Sequence, residues 1–251
     1  MQKLTTYLNL ALFTGLCAST AANAYIAVPP SIFQDEDNTI YLSIGGGVAS
    51  ERSGDWSGSE HHAGLNAPSQ DKSTVPMGTA AIGYGFKNYP FRIEAAYNFI
   101  GIAKFKWDSL DPPVTTGKTE SAEAKVYSNL GLLNLYGDLP IGDNWIPFIK
   151  IGAGYGMNEA KFSYTDEATG DVFTSDNHSN NNFVWNAGVG VNYAMSESVS
   201  IGAEVTYLYL GKAYVDASVV PVAGGEEINQ SFAELDKLTA VAATLNIAYH
   251  F

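Results

Sequence analysis

Residues 238–251 read LTAVAATLNIAYHF, from Leu238 to Phe251. Side chains of a strand alternate between its two faces. Val241, Ala243, Leu245, Ile247, Tyr249 and Phe251 therefore share one face, and Ala242, Thr244, Asn246, Ala248 and His250 share the other. The first face is apolar and ends in two aromatics; the second is small and polar. A soluble sheet buries its apolar face against a second layer of protein. A membrane barrel turns that face to lipid and encloses the small polar face as its own lumen.

Seven earlier segments alternate in the same way. They are expected at about Thr39–Ser50, Met77–Phe86, Phe91–Trp107, Glu123–Tyr136, Trp145–Tyr164, Phe183–Ala194 and Val199–Val215. Each is long enough to span, because a tilted strand crosses the hydrocarbon in about 9–11 residues. The connections sort by length. Glu51–Pro76, Asp108–Ala122, Thr165–Asn182 and Asp216–Asp236 are long, whereas Lys87–Pro90, Gly137–Asn144 and Met195–Ser198 are short. Strands running up and down between two sides of a membrane produce that parity, with short periplasmic turns and long outer loops. The expected fold is all-β: an eight-stranded antiparallel up-and-down transmembrane barrel with both termini in the periplasm.

Individual strands display the two faces. Phe91, Ile93, Ala95, Tyr97 and Phe99 alternate with Arg92, Glu94, Ala96 and Asn98; further on, Phe105 and Trp107 alternate with Lys104 and Lys106. Trp185, Ala187, Val189, Val191 and Tyr193 oppose Asn186, Gly188, Gly190 and Asn192. Ile201, Ala203, Val205, Tyr207 and Tyr209 oppose Ser200, Gly202, Glu204 and Thr206. In the fourth segment Leu130, Leu132, Leu133 and Leu135 defeat a clean parity, so its faces stay open.

The beginning of the chain agrees with a secreted barrel. Lys3, the apolar run Leu8–Leu16 and the Ala22-Asn23-Ala24 site form a secretory signal, so residues 1–24 are expected to be removed. Residues 25–38 are then a periplasmic N-terminal segment and residues 39–251 the barrel. Cys17, the single cysteine, falls within the signal, which leaves the mature chain without thiol chemistry. No window holds the ~18 apolar residues of a transmembrane helix. A net charge of -13 argues against a nucleic-acid partner, which calls for a basic patch. The acidic runs Asp35-Glu36-Asp37, Asp166-Glu167 and Glu226-Glu227 read as solvated surface.

These segments resemble small Gram-negative outer-membrane barrels, the family of OmpA-like porins, opacity proteins and surface antigens. Phe91-Arg92-Ile93-Glu94-Ala95-Ala96-Tyr97 is similar to its Arg-x-Glu-x-x-Tyr strand. Asn134-Leu135-Tyr136-Gly137-Asp138 is similar to its Asn-x-Tyr-x-Asp segment, and Ile146–Gly154 to its Pro-Tyr-x-x-x-Gly-x-Gly strand, with Phe148 in the Tyr place. Gly188-Val189-Gly190-Val191 and Ala203–Gly211 resemble its last strands but one. The terminal Phe251, with Leu245, Ile247 and Tyr249 at alternate positions, resembles the family's assembly signal. The resemblance implies an outer-membrane address, contact with outer-membrane lipids and lipopolysaccharide, handling by the barrel assembly machinery, and extracellular or host ligands of the loops. It also leads us to expect a barrel without the periplasmic peptidoglycan-binding domain of full-length OmpA.

Four charged residues fall on inward faces: Arg92, Glu94, Lys150 and Glu204. The interior of an eight-stranded barrel is only wide enough for side chains to fill it, and charges are not left unpaired there. The expectation is a salt-bridge network plugging the lumen. A narrow polar pore lined by the same groups is the alternative, kept open by small inward residues such as Ser43, Gly45, Gly47, Gly188 and Gly190.

Catalytic signals are weak. Gly152-Ala153-Gly154-Tyr155-Gly156 has the glycines of a nucleotide loop, but that motif must open a helix, and a strand pattern continues here. His178-Ser179-Asn180, read as part of a polar loop, bears a slight resemblance to the His and Ser of lipid A deacylases, without their His-x-Ser spacing. His61-His62 would point apart on an extended chain. No catalytic residue, metal site or cofactor is therefore expected. The functional expectation is a non-catalytic surface protein, adhesin-like or antigen-like, whose loops act on a rigid scaffold. A narrow porin for small solutes is the alternative, and a lipid A acyl hydrolase a distant one.

Overall fold

A computed structural model describes residues 39–54, 56–58, 72–86, 89–108, 121–139, 141, 144–165, 172–174, 178–219 and 228–251. The signal segment, residues 25–38, Cys17, His61-His62 and the three acidic runs lie outside them. The strands are β1 (Thr39–Ser53), β2 (Trp56–Gly58), β3 (Lys72–Gly85), β4 (Phe91–Asp108), β5 (Ser121–Asp138), β6 (Trp145–Thr165), β7 (Val172–Thr174), β8 (His178–Ala194), β9 (Val199–Val219) and β10 (Ile228–His250).

Each long strand pairs antiparallel with the next, and β10 returns to pair with β1 from Tyr41↔His250 to Ser53↔Leu238. The result is a closed eight-stranded up-and-down barrel. The two short strips lie outside the circuit, β2 on β10 and β7 on β6. Closure leaves no free edge, so the backbone groups of the wall are satisfied by their neighbours. The chain end completes the seam: Phe251 N donates to Ile40 O at 3.0 Å, and His250 N to Ser198 O at 2.8 Å.

On the outside, Leu42, Ile44, Ile82, Ile149, Val205 and Leu245 are exposed and form an apolar band. Aromatic girdles bound it, the pattern of a lipid-facing wall. Trp145–Tyr193 and Tyr249–Phe251 meet edge to face near the short turns, and Trp185 lies against Tyr207 and Tyr209 toward the long loops.

The strands run further toward the long loops than their alternation suggested. β9 and β10 remain paired up to Ile228↔Val219, so much of Asp216–Asp236 is ladder rather than loop. His178-Ser179-Asn180 likewise sits in β8, paired with β6 at Ala160, Glu159 and Asn158, and not in a loop. β10 contains register shifts at Ser231/Ala233 and Leu235/Leu238. Opposite the second, Gly211 adopts φ 84, a left-handed backbone that glycine takes without strain.

One face assignment is corrected. β4 slips register between Ile100 and Ala103. The bulge reverses the parity beyond it, as an extra residue must. Phe105 consequently points inward at 1% exposure, while Lys104 and Lys106 point outward. β5 also becomes definite. Leu130 and Leu132 are buried inside the barrel, whereas Leu133 and Leu135, at 63% and 44% exposure, face out.

Candidate functional site: the lumen

Toward the short turns the lumen is polar. Tyr41 on β1 stands opposite Gly83 on β3. A Cβ at Gly83 would lie 2.0 Å from Tyr41 Cζ, so only glycine lets the ring lie flat on the wall there. This places the Tyr41 hydroxyl between Arg92 and Glu94 of β4. It donates to Glu94 Oε2 at 3.0 Å and accepts from Arg92 Nη1 at 3.2 Å. Glu94 Oε1 also accepts from Tyr136 at 2.7 Å and from Asn134 Nδ2 at 3.3 Å. Asn134 Oδ1 in turn accepts from Asn186 at 2.8 Å.

Arg92 binds Asp138 through both Nε and Nη2, at 2.7 and 3.0 Å, and its guanidinium lies 4.4 Å from the Tyr136 ring centre. A bidentate guanidinium–carboxylate fork is among the strong charge-assisted contacts. Across the lumen, Lys150 Nζ reaches Glu204 Oε1 at 2.6 Å, and the Thr244 hydroxyl donates to the same oxygen at 3.2 Å. Ser200 Oγ and His250 Nε2 are 3.0 Å apart below them.

All four charged residues named from the sequence thus meet inside the barrel, but not in one square of pairs. Lys150 and Glu204 pair; Arg92 takes Asp138; Glu94 is held by two phenols and an amide. Inward parity does not reach Asp138 in the sequence, because the expected turn Gly137–Asn144 takes it in, and Tyr136 lies on the strand whose faces stay open there. The signal was nevertheless present: Asp138 continues the inward parity of Asn134 and Tyr136.

The space among these groups is small, about 40 Å³, and is bounded by Arg92, Glu94, Asn134, Lys150, Glu204 and Asn246. A buried water needs roughly 10–15 Å³ by this measure, so the space holds about three.

Toward the long loops the lumen changes character. Val75, Met77, Ile100, Phe105, Val126, Leu130, Leu132, Val184, Leu208, Leu210 and Leu238 close on one another with alanines between them. Glu51 is embedded at the upper margin of this core, 0% exposed, and neither carboxylate oxygen has a hydrogen-bond partner among the described residues. It sits between Ser50 and Arg52, beyond the outer apolar band. Burial pushes its carboxyl up to about 8 from an ordinary 4.5, because a low-dielectric setting disfavours the charged form.

The assembly residues Leu245, Ile247, Tyr249 and Phe251 line up on the outward face of β10 and are all exposed. Gly152–Gly156 lie within β6.

Residues 8–251 match the family model described as outer membrane protein beta-barrel domain. Outer membrane protein PagN of Salmonella typhimurium is 28% identical over 146 residues, covering 55% of this chain and 59% of PagN. The match thus spans less than two thirds of that relative. Among solved structures, Neisserial surface protein A is 16% identical with a TM-score of 0.40, covering 84% of this chain and 98% of that one. Ail, the attachment invasion locus protein of Yersinia pestis, is 15% identical with a TM-score of 0.39, covering 84% and 98%. The chain belongs to the outer membrane protein beta-barrel family and is a β-barrel of the Gram-negative outer membrane.

Proposed function

We propose that this protein is a non-catalytic surface barrel whose outer rim and loops, rather than its lumen, do its work. The observation that carries this reading is the filled interior. An ion entering from the periplasm meets the Arg92–Asp138 and Lys150–Glu204 pairs. Beyond them it meets an apolar plug centred on Phe105, Leu130 and Leu208. A hydrated ion has no polar path through such a core, and leaving its water there is costly. The narrow porin is the weaker reading for the same reason. What remains accessible on such a scaffold is the set of long connections, where binding residues are commonly placed. Adhesin-like or antigen-like contact with the environment is the role we assign to them.

The test is reconstitution of the mature protein in planar bilayers beside a variant shortened only between the paired strands, within residues 59–71 and 220–227. The reading expects no steady conductance from either protein, and expects surface binding by the intact protein that is lost on trimming. Steady conductance whose ion selectivity changes with Lys150→Gln or Glu204→Gln would overturn it in favour of a pore.

A further inference from the structure

The charges gathered in the periplasmic half of the lumen do not cancel. Arg92 and Lys150 stand against Glu94, Asp138 and Glu204. Asp138 takes the guanidinium fork of Arg92, and Glu204 takes Lys150 at 2.6 Å. Glu94 is left with neutral partners: the phenols of Tyr41 and Tyr136 and the amide of Asn134. Neutral donors spread the charge of a carboxylate without cancelling it. Glu94 is 7% exposed, on a wall whose other face meets lipid, and an uncompensated charge is costly in such a place.

A proton or a cation would restore the balance, and the contacts favour the cation. Both tyrosine hydroxyls and Asn134 Nδ2 donate to Glu94. A proton on this carboxyl would add a fourth donor where acceptors are needed. An ionised carboxylate only accepts, at about four lone-pair sites. Oε1 receives two of the donors and Oε2 one, so Oε2 keeps a lone pair for another partner.

A second unsatisfied oxygen borders the same space of about 40 Å³. Asn246 Oδ1 is buried and has no hydrogen-bond partner among the described residues. Gly45, opposite Asn246 in the β1–β10 ladder, makes room for it, because a Cβ there would collide with that oxygen. Ser43 and Thr79 bring hydroxyls to the same space. A carboxylate, an amide oxygen and hydroxyls are donors that hard cations take.

Charge and size narrow the ion. One negative charge is unmatched, so a monovalent ion cancels it and a divalent ion overshoots. Among the described residues no three His, Cys, Asp or Glu are grouped to hold a metal. The space has room for about three waters, enough for one ion with part of its hydration. Mg²⁺ gives up its waters reluctantly and is too bulky with them.

We propose that the periplasmic half of the lumen binds one partly dehydrated alkali cation, sodium or potassium, between Glu94 and Asn246 Oδ1. The ion completes the charge balance of the interior and stabilises the folded barrel. It enters from the periplasmic mouth and stops beneath the apolar plug, so the site is a dead end and not a path. It is a role of the lumen beyond the surface role proposed above.

The experiment follows urea unfolding of the mature protein refolded in an uncharged detergent. Chloride and ionic strength are held constant while sodium or potassium replaces choline, which is too large for the space. An ion held only by the folded state lowers the unfolding constant about tenfold for each tenfold rise in its concentration above Kd. Wild type should show that dependence with at least one of the two ions. Glu94→Gln should lose it, because the charge to be matched is gone, and Asn246→Leu should weaken it. A second readout is anomalous scattering from wild-type crystals soaked in thallium(I) acetate, which should place a peak between Glu94 and Asn246. These two wild-type measurements decide the matter even where a variant fails to fold. An unfolding constant indifferent to the identity of the cation would overturn the site and leave the balance to a proton on Glu94 or His250. A thallium peak without that dependence would mean an adventitious ion only, and would overturn it equally. A response to calcium or magnesium, with none to sodium or potassium, would overturn the monovalent assignment.

Discussion

The periplasmic half of this barrel and its outer half are built on opposite plans. In the periplasmic half the outside is apolar, with Leu133, Ile149 and Leu245 exposed, and the inside is polar, with Glu94, Asn134 and Lys150 buried. In the outer half the inside is apolar, with Ile100, Phe105, Leu130 and Leu210 fully enclosed, and the outside carries Arg52, Lys104, Lys125 and Lys161. One continuous hydrogen-bonded wall therefore changes solvent partway up. Below the change it obeys the rules of a lipid-facing barrel. Above it the wall behaves as a small water-soluble barrel with a conventional core. The difference teaches that strand parity alone does not say which face is buried; what surrounds the strand decides.

The largest expected effect breaks the polar half. Glu204→Gln leaves Lys150 enclosed without its counter-charge. Losing one partner of a buried pair costs about 3–5 kcal/mol, less where the small cavity admits water. The urea midpoint of the protein refolded in detergent should fall, and Lys150→Met/Glu204→Leu together should recover most of the loss. Equal midpoints for wild type and Glu204→Gln would mean a wet, weakly coupled lumen.

Next comes the apolar half. Phe105→Ala should cost about 3–4 kcal/mol, the usual range for emptying a buried aromatic site, while Lys104→Ala should stay within roughly 0.5 kcal/mol. The pair sharpens the comparison because their order reverses if the β4 bulge is absent and the simple parity holds.

This is also where reading the sequence reached its limit. Alternation located the eight barrel strands, the short turns and most faces, because in the periplasmic half the contrast between lipid and lumen is written at every second residue. In β5 the apolar positions move from Leu133 and Leu135 on the outside to Leu130 and Leu132 on the inside. Four leucines then read as ambiguity, although they mark the level at which the surroundings change. In β4 the same change coincides with a bulge at Ile100–Ala103, and one extra residue has no signature in a period-two pattern. Of the candidate site, the four charged residues were legible from inward parity. The partner choice was not, since it depends on Tyr41, Tyr136 and Asp138 from three strands brought together only by closure.

Glu51 offers a pH-dependent comparison between the halves. Its folded-state carboxyl is raised to about 8, so the folded protein holds a proton that the unfolded chain releases near 4.5. Stability should therefore fall as pH rises from about 4.5 through 8, and the loss is complete above that window. Glu51→Gln should be neutral at pH 4 and clearly stabilising at pH 9, where the wild-type carboxyl must ionise in its buried setting. A Glu51→Gln profile parallel to wild type across that range would contradict the burial of this carboxyl in the outer core.

The smallest effect on stability is expected at the chain end. We propose that Leu245, Ile247, Tyr249 and Phe251 serve assembly more than the finished fold. Phe251 is 72% exposed and contacts Tyr249 edge to face. Phe251→Ala should change the urea midpoint by less than about 1 kcal/mol yet lower the outer-membrane yield at high expression. Equal yield under identical induction would count against the assembly role.

The exchange of plans between the halves is tested most directly by spin-label accessibility. Single cysteines at Leu133, Ile149, Lys104, Lys125 and Leu130 would carry a nitroxide in lipid bilayers, with oxygen as the lipid-soluble relaxant and a nickel chelate as the aqueous one. Labels at Leu133 and Ile149 should respond to oxygen, labels at Lys104 and Lys125 to the chelate, and the label at Leu130 to neither. Chelate access at Leu130, or oxygen access at Lys104 and Lys125 equal to that at Leu133, would contradict a wall whose inside and outside exchange character partway up.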